Sequence, residues 1–148
     1  MILKFIAHNP WLIITIALCA AVIGCKDLED CRTDYTSLVS IDFQKTTDFD
    51  AIEIVGGIKF TSVPSYRVFP LPLNPSADST TFLFYKSSST TADTLAIFYK
   101  RAPSLISPQC GVQQAYTLDS LQTTFAKASI IHASLRKSIP GPHVQISY

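Results

Sequence analysis

Charge is scarce in this chain: 12 Lys and Arg and 11 Asp and Glu make up 16% of its 148 residues, and they are scattered. With no basic stripe, the electrostatic attraction that dominates nucleic-acid binding is missing, which excludes nucleic acid as a partner. Catalytic motifs are missing as well. No GxSxG, HExxH, P-loop or GxGxxG occurs, so the common nucleophile, zinc and phosphate arrangements have no foothold. The four cysteines include no CxxC, and His132 and His143 stand far along the chain without zinc spacing; neither a metal nor a cofactor is implied. There is no internal repeat, and no low-complexity block exceeds the Ser/Thr cluster at 87–91. A content of 47% apolar residues nevertheless rules out disorder, so one compact core is expected.

What the chain does have begins at its N-terminus. Trp11 to Ile23 is thirteen residues without a charge, preceded by Lys4, His8, Asn9 and Pro10. A membrane span needs about 20 apolar residues and a signal-peptide core about 7 to 15, so the segment is signal-length. It ends in Val22, Ile23, Gly24 and Cys25, which resemble the lipobox of bacterial lipoproteins. There, a small residue lets a peptidase cleave before a cysteine that has received a diacylglyceryl group. Cys19 is the rival, but bulky Leu18 precedes it. The expectation is cleavage after residue 24 and acylation of Cys25, palmitate included. More than one acyl chain makes such an anchor stable. The resemblance implies a cell-envelope lipoprotein at the outer membrane, on its surface or periplasmic face.

Lys26, Asp27, Glu29 and Asp30 follow at once, interrupted by Leu28. They look like the acid-rich tether that exports lipoproteins of the Bacteroidota to the cell surface; a plain solvated tether is the alternative. The expected organisation is a signal peptide at 1–24, a charged tether at 25–35 and a folded domain at 36–148. Removing Cys19 and acylating Cys25 leaves Cys31 and Cys110, an even pair that in an oxidising compartment reads as one disulfide. By chain entropy, a bridge closing about 80 residues contributes roughly 4 to 5 kcal/mol before strain.

Period-two alternation recurs through the rest. Val39, Ile41 and Phe43 alternate with Ser40, Asp42 and Gln44, which predicts a strand with one buried face and places Asp42 toward solvent, as Glu53 is in its own strand. Ile52, Ile54, Ile58 and Phe60 share parity, with a bulge or tight bend at Gly56 and Gly57. Pro70, Pro72 and Pro75 consign "SYRVFPLPLNP" to an edge or crossover. "TTFLFYK" and "TLAIFYK" form a hairpin signal, "RAPSLISPQCGV" reads as a Pro-broken loop, and "QQAYTLDS", "TFAKASIIHASL" and "HVQISY" offer three more strands. Ala126 to Arg136 also has helix-forming residues. The fold class expected is all-β: after the signal helix, an antiparallel, immunoglobulin-like β-sandwich of about eight strands ending in a C-terminal strand.

Few side chains stand out as chemical. His132 and His143 read as structural histidines, with ligand or general base as the alternative. Tyr85, Phe98 and Tyr99 either pack in the core or form a recognition platform, and strand alternation puts Phe98 and Tyr99 on opposite faces. Ser79, Thr94 and Ser120 each follow an Asp, in a pattern that fits general O-glycosylation in Bacteroidota at predicted loop edges.

Taken in order, the lipobox cysteine, the second cysteine near residue 31, "LVSIDF", "LPLNPSADSTTFLF", "DTLAIFYKR", "LISPQCG" and "HVQISY" resemble a family of small Bacteroidota lipoproteins classed only as a domain of unknown function. The resemblance covers the chain beyond the signal. It implies a secreted β-rich domain with the two cysteines in matching places, and no activity. The resulting expectation is a non-catalytic binding or structural envelope module, held to the membrane by its lipid and meeting a protein or glycan partner. The alternative is a small secreted enzyme or enzyme inhibitor using His132, His143 or exposed loops.

Overall fold

The computed structural model describes residues 34–147 apart from 62, 88, 90 and 109. Nine strands occur among them: β1 (Leu38–Thr47), β2 (Ala51–Ile54), β3 (Lys59–Thr61), β4 (Tyr66–Pro72), β5 (Ser79–Tyr85), β6 (Asp93–Ser107), β7 (Gly111–Thr123), β8 (Lys127–Ile130) and β9 (Val144–Ser147). They form a four-stranded sheet in the order β4-β1-β9-β8 and a five-stranded sheet in the order β3-β2-β5-β6-β7. All pairings between these strands are antiparallel except β1 with β9, which run parallel through Ile41↔Val144 and Asp42↔Gln145.

The sheets face each other as a β-sandwich, the fold class expected, because each alternating strand has one apolar face that only the opposite sheet can cover. Val39, Ile41 and Phe43 of β1 are buried, as are Phe82 and Phe84 of β5 and Val144 and Ile146 of β9. Phe43 bridges the layers: its ring lies 5.4 Å from Phe84 of the other sheet and 5.6 Å from Phe69 of its own, both edge-on. Phe49 and Phe125, from the connections after β1 and β7, complete this cluster at 5.1 and 5.6 Å from Phe43.

The strand expected within "TFAKASIIHASL" forms as β8 despite the helix-forming composition of Ala126 to Arg136, because pairing with β9 satisfies its backbone. Other expectations are corrected. "RAPSLISPQCGV" is not a loop. β6 runs straight through Pro103 to Ser107 and turns into β7, with Ser107 opposite Gly111. Proline is tolerated there because β5 pairs with β6 only from Asp93 to Phe98, which leaves the outer edge of β6 without a ladder to break. Ile58 and Phe60 do not follow Ile52 into the core. Gly56, at a φ of +76°, turns the chain tightly, and β3 becomes a three-residue edge strand whose side chains are exposed.

Asp42 is the sharpest correction. Its side chain does point to the outer face, yet it is buried, because Arg67 of β4 covers it with a two-pronged ion pair at 2.8 and 2.9 Å. The register of β1 on β4 slips between Asp42 and Thr47. Inside that irregularity Gln44 takes a φ of +60°, a conformation that costs a non-glycine residue about 1 kcal/mol or more. Asp42 Oδ1 accepts the Gln44 N–H at 2.7 Å and holds it there.

Candidate functional site

A concave surface among the described residues lies along one side of the sandwich, where the β2–β3 hairpin of the five-stranded sheet runs beside β4 of the other. Twisted sheets diverge toward their corners, and here the bordering strands are poor at closing the gap: β3 is short, and β4 carries Pro70 and Pro72. An apolar groove of about 290 Å³ results, lined chiefly by Ile52, Phe60, Val63, Tyr66, Phe69 and Pro70. A second hollow of about 230 Å³, bounded by the 54–58 turn and by 72–75, lies along the same seam. Ile58 and Val55 of this second hollow are 63% and 53% exposed, and Tyr66 of the first is 53% exposed. Among the described residues, Tyr66 is the only titratable side chain lining either hollow. Such a lining suits apolar side chains rather than proton transfer.

The aromatic platform does not assemble. Tyr99 is buried, where its hydroxyl donates to the Asn74 carbonyl at 2.7 Å and meets Thr80 Oγ1 at 2.8 Å, which in turn accepts the Asn74 N–H at 2.8 Å. This closed ring clamps the "LPLNP" connection onto β5 and β6. Desolvation raises the Tyr99 pKa above its ordinary value. Tyr85 faces outward instead, donating to Glu53 at 3.0 Å with Lys59 over its ring at 4.3 Å; the bond to Glu53 raises its pKa too. Phe98 is half-buried, at a register slip beside Tyr99.

His132 is half-buried beside the Gly141 turn. His143 is buried and built into the sheet: its Nδ1 accepts the Ser40 N–H at 3.0 Å and its own N–H donates to the Ser40 carbonyl at 2.9 Å. That arrangement is structural. Burial, with the nearby His132 charge adding to it, lowers the His143 pKa. Protonation would also replace the Nδ1 lone pair that Ser40 uses. The unfolded chain therefore takes up this proton first, from about pH 6.5 downward, and stability falls as the pH drops below that value. The slope is no steeper than about 1.4 kcal/mol per pH unit. Urea midpoints at pH 7.5, 6.5 and 5.5 are expected to decline, and His143→Asn, which keeps an acceptor, to flatten the decline. An unchanged slope in that variant would exclude His143 as the cause. Asp42 acts lower: the Arg67 hydrogen bonds depress its pKa below 3.8, so its contribution persists above that range and is lost only on further acidification.

Cys25, the lipobox residues Val22, Ile23 and Gly24, the tether residues Lys26, Asp27, Glu29 and Asp30, and Cys31 lie outside the described residues. Cys110 sits half-buried in the β6–β7 turn, where its N–H donates to Ser107 Oγ at 3.0 Å. No second cysteine lies among the described residues, so its pairing is not visible within them. Ser79 opens β5 and Thr94 lies near the start of β6, both half-buried. Ser120 is exposed but lies inside β7 opposite Phe98, not at a loop edge. Among the described residues no group of three or more His, Cys, Asp and Glu side chains is placed to hold a metal ion.

Sequence reasoning missed the seam, although Pro70, Pro72 and the double glycine were its visible signal. Residues 50–139 match a family described as a family of unknown function, DUF6452. No curated protein and no solved structure matches the chain.

Proposed function

The chain belongs to the DUF6452 family, a family of unknown function, and we propose that it works there as a non-catalytic binding module of the cell envelope. In this reading Cys25 is acylated after removal of residues 1–24, and the lipid holds the protein at the outer membrane. The Lys26, Asp27, Glu29 and Asp30 tether carries it to the surface, and a Cys31–Cys110 disulfide ties the start of the domain to the β6–β7 turn.

The observation that carries the binding role is the seam. Phe60 and Tyr66 stand exposed at the apolar groove and Ile58 at the second hollow, whereas a glycan site would need several convergent donors and acceptors. An extended protein segment with apolar side chains is the occupant this lining fits. Catalysis has less support, because His143 spends its Nδ1 on Ser40 inside the sheet.

Protease treatment of intact cells carrying a C-terminally tagged copy tests location. The tag is expected to disappear from intact cells, palmitate to be incorporated, and Cys25→Ala to abolish labelling and release the protein from the membrane fraction. Survival of the tag until the outer membrane is broken would overturn surface export alone; wild-type protein without palmitate would overturn the anchor. For the seam, a photo-crosslinking residue at position 58 or 66 is expected to trap one common protein adduct that position 120 does not. Identical labelling at all three would remove the seam as the binding surface.

A further inference from the structure

β6 leaves β5 after Phe98, and past Arg101 and its partner Tyr116, whose carbonyl still accepts the Leu135 N–H, it continues with β7 as a two-stranded ribbon. Among the described residues, Arg101 is the last of β6 whose side chain is hydrogen-bonded back to the body, to Asp78 at 2.9 Å and the Pro75 carbonyl at 2.6 Å. The six residues Ala102 to Ser107 extend past it, a reach of about 20 Å at the usual rise of a strand. Leu105 and Val112 lie directly opposite one another across this ribbon, and they are 66% and 65% exposed. Pro103 and Gln114, the next opposed pair on the same face, are exposed too.

The ribbon has a second unusual property. From Ala102 to Leu118, seventeen residues pass without a single Asp, Glu, Lys, Arg or His. Entering a membrane interface would therefore desolvate no charge, while the aliphatic pair gains from leaving water.

The third observation is where the chain enters. Gln113, next to Val112, donates through its side chain to the Tyr35 carbonyl at 3.0 Å, and Arg136 stacks on and hydrogen-bonds Tyr35. The described chain thus begins against the ribbon, on the face opposite Leu105 and Val112. Nine residue steps separate Cys25 from Asp34, at most about 30 Å even when fully extended. A lipid on Cys25 cannot hold the membrane far from this ribbon.

From these three observations we propose that the β6–β7 ribbon is a membrane-contact finger, with Leu105 and Val112 entering the interfacial zone of the leaflet that holds the Cys25 lipid. The inference rests on the acylation reading above and adds to it an orientation: the domain is fixed on the bilayer at two points rather than swinging on its tether. A single added apolar contact of this kind is weak alone but is strengthened by the anchor that keeps it close.

Trp11 is the only tryptophan and falls in the segment expected to be removed, so a new tryptophan reports on its own surroundings, with the unsubstituted protein as blank. The full lipoprotein carrying Leu105→Trp is reconstituted in phospholipid vesicles with nitroxide-labelled lipids, beside Val55→Trp on the 54–58 turn. Flotation with the vesicles, a blue-shifted emission and roughly two-fold quenching confined to Leu105→Trp are expected. Flotation without quenching at position 105, or equal quenching at 55 and 105, overturns the finger and leaves the anchor standing. Failure of the protein to float overturns both.

Discussion

Ile146→Asp is expected to abolish the cooperative folding of this domain. Ile146 belongs to β9, which lies between β1 and β8 in the middle of its sheet, and its side chain is fully buried. The substitution removes an apolar side chain from the core, typically a loss of about 3 kcal/mol, and adds a carboxylate with no charge partner there. Together these exceed about 5 kcal/mol, comparable with the whole stability of many domains of this size. The neighbouring Ser147→Asp provides the contrast. Its side chain lies on the other face, in register with Lys127 of β8, so a change within about 1 kcal/mol is expected. Thermal unfolding followed by circular dichroism distinguishes the two. A sharp transition in Ile146→Asp within a few degrees of wild type would mean that β9 is not a core strand.

Phe43→Ala is expected to lower stability by about 4 to 5 kcal/mol, at the upper end of the range for buried Phe. Among the described residues, four rings pack on Phe43 at centroid distances of 5.1 to 5.6 Å, all edge-on, and two of them belong to connections rather than strands. Truncation therefore opens a cavity between the sheets and also loosens Phe49 and Phe125, which close its end. In a domain of this length the corresponding drop in Tm is about 15 to 20 °C. Phe43→Leu, which keeps most of the volume, is expected to cost less than half as much. A Phe43→Ala loss below about 1.5 kcal/mol would show that the rings do not pack as a unit.

The strands were legible because alternation is a property of each segment alone. Val39, Ile41 and Phe43 declare their inward face by side-chain spacing, and so do Val144 and Ile146. The reading failed where a long-range partner changed the outcome. Pro103 looked like a strand breaker until β6 proved to have an unpaired edge at that point. Parity carried Phe60 toward the core until the Gly56 turn made β3 an edge strand. Asp42 was placed on the correct face, but its burial depends on Arg67, 25 residues away.

The candidate site divides in the same way. Cys25 and its lipobox form a local pattern, readable without any fold. The seam and the ribbon are not, since each needs two segments brought side by side: the β2–β3 hairpin against β4, and Leu105 against Val112.

By itself, the sequence determined the all-β class and most of the inward-facing residues, because the backbone of a strand turns successive side chains to opposite sides whatever lies around it. Only the tertiary structure decided that β9 runs parallel to β1, that His143 meets Ser40 across 103 residues, and which apolar side chains remain exposed. Those outcomes depend on which distant surfaces meet, and local spacing carries no record of that.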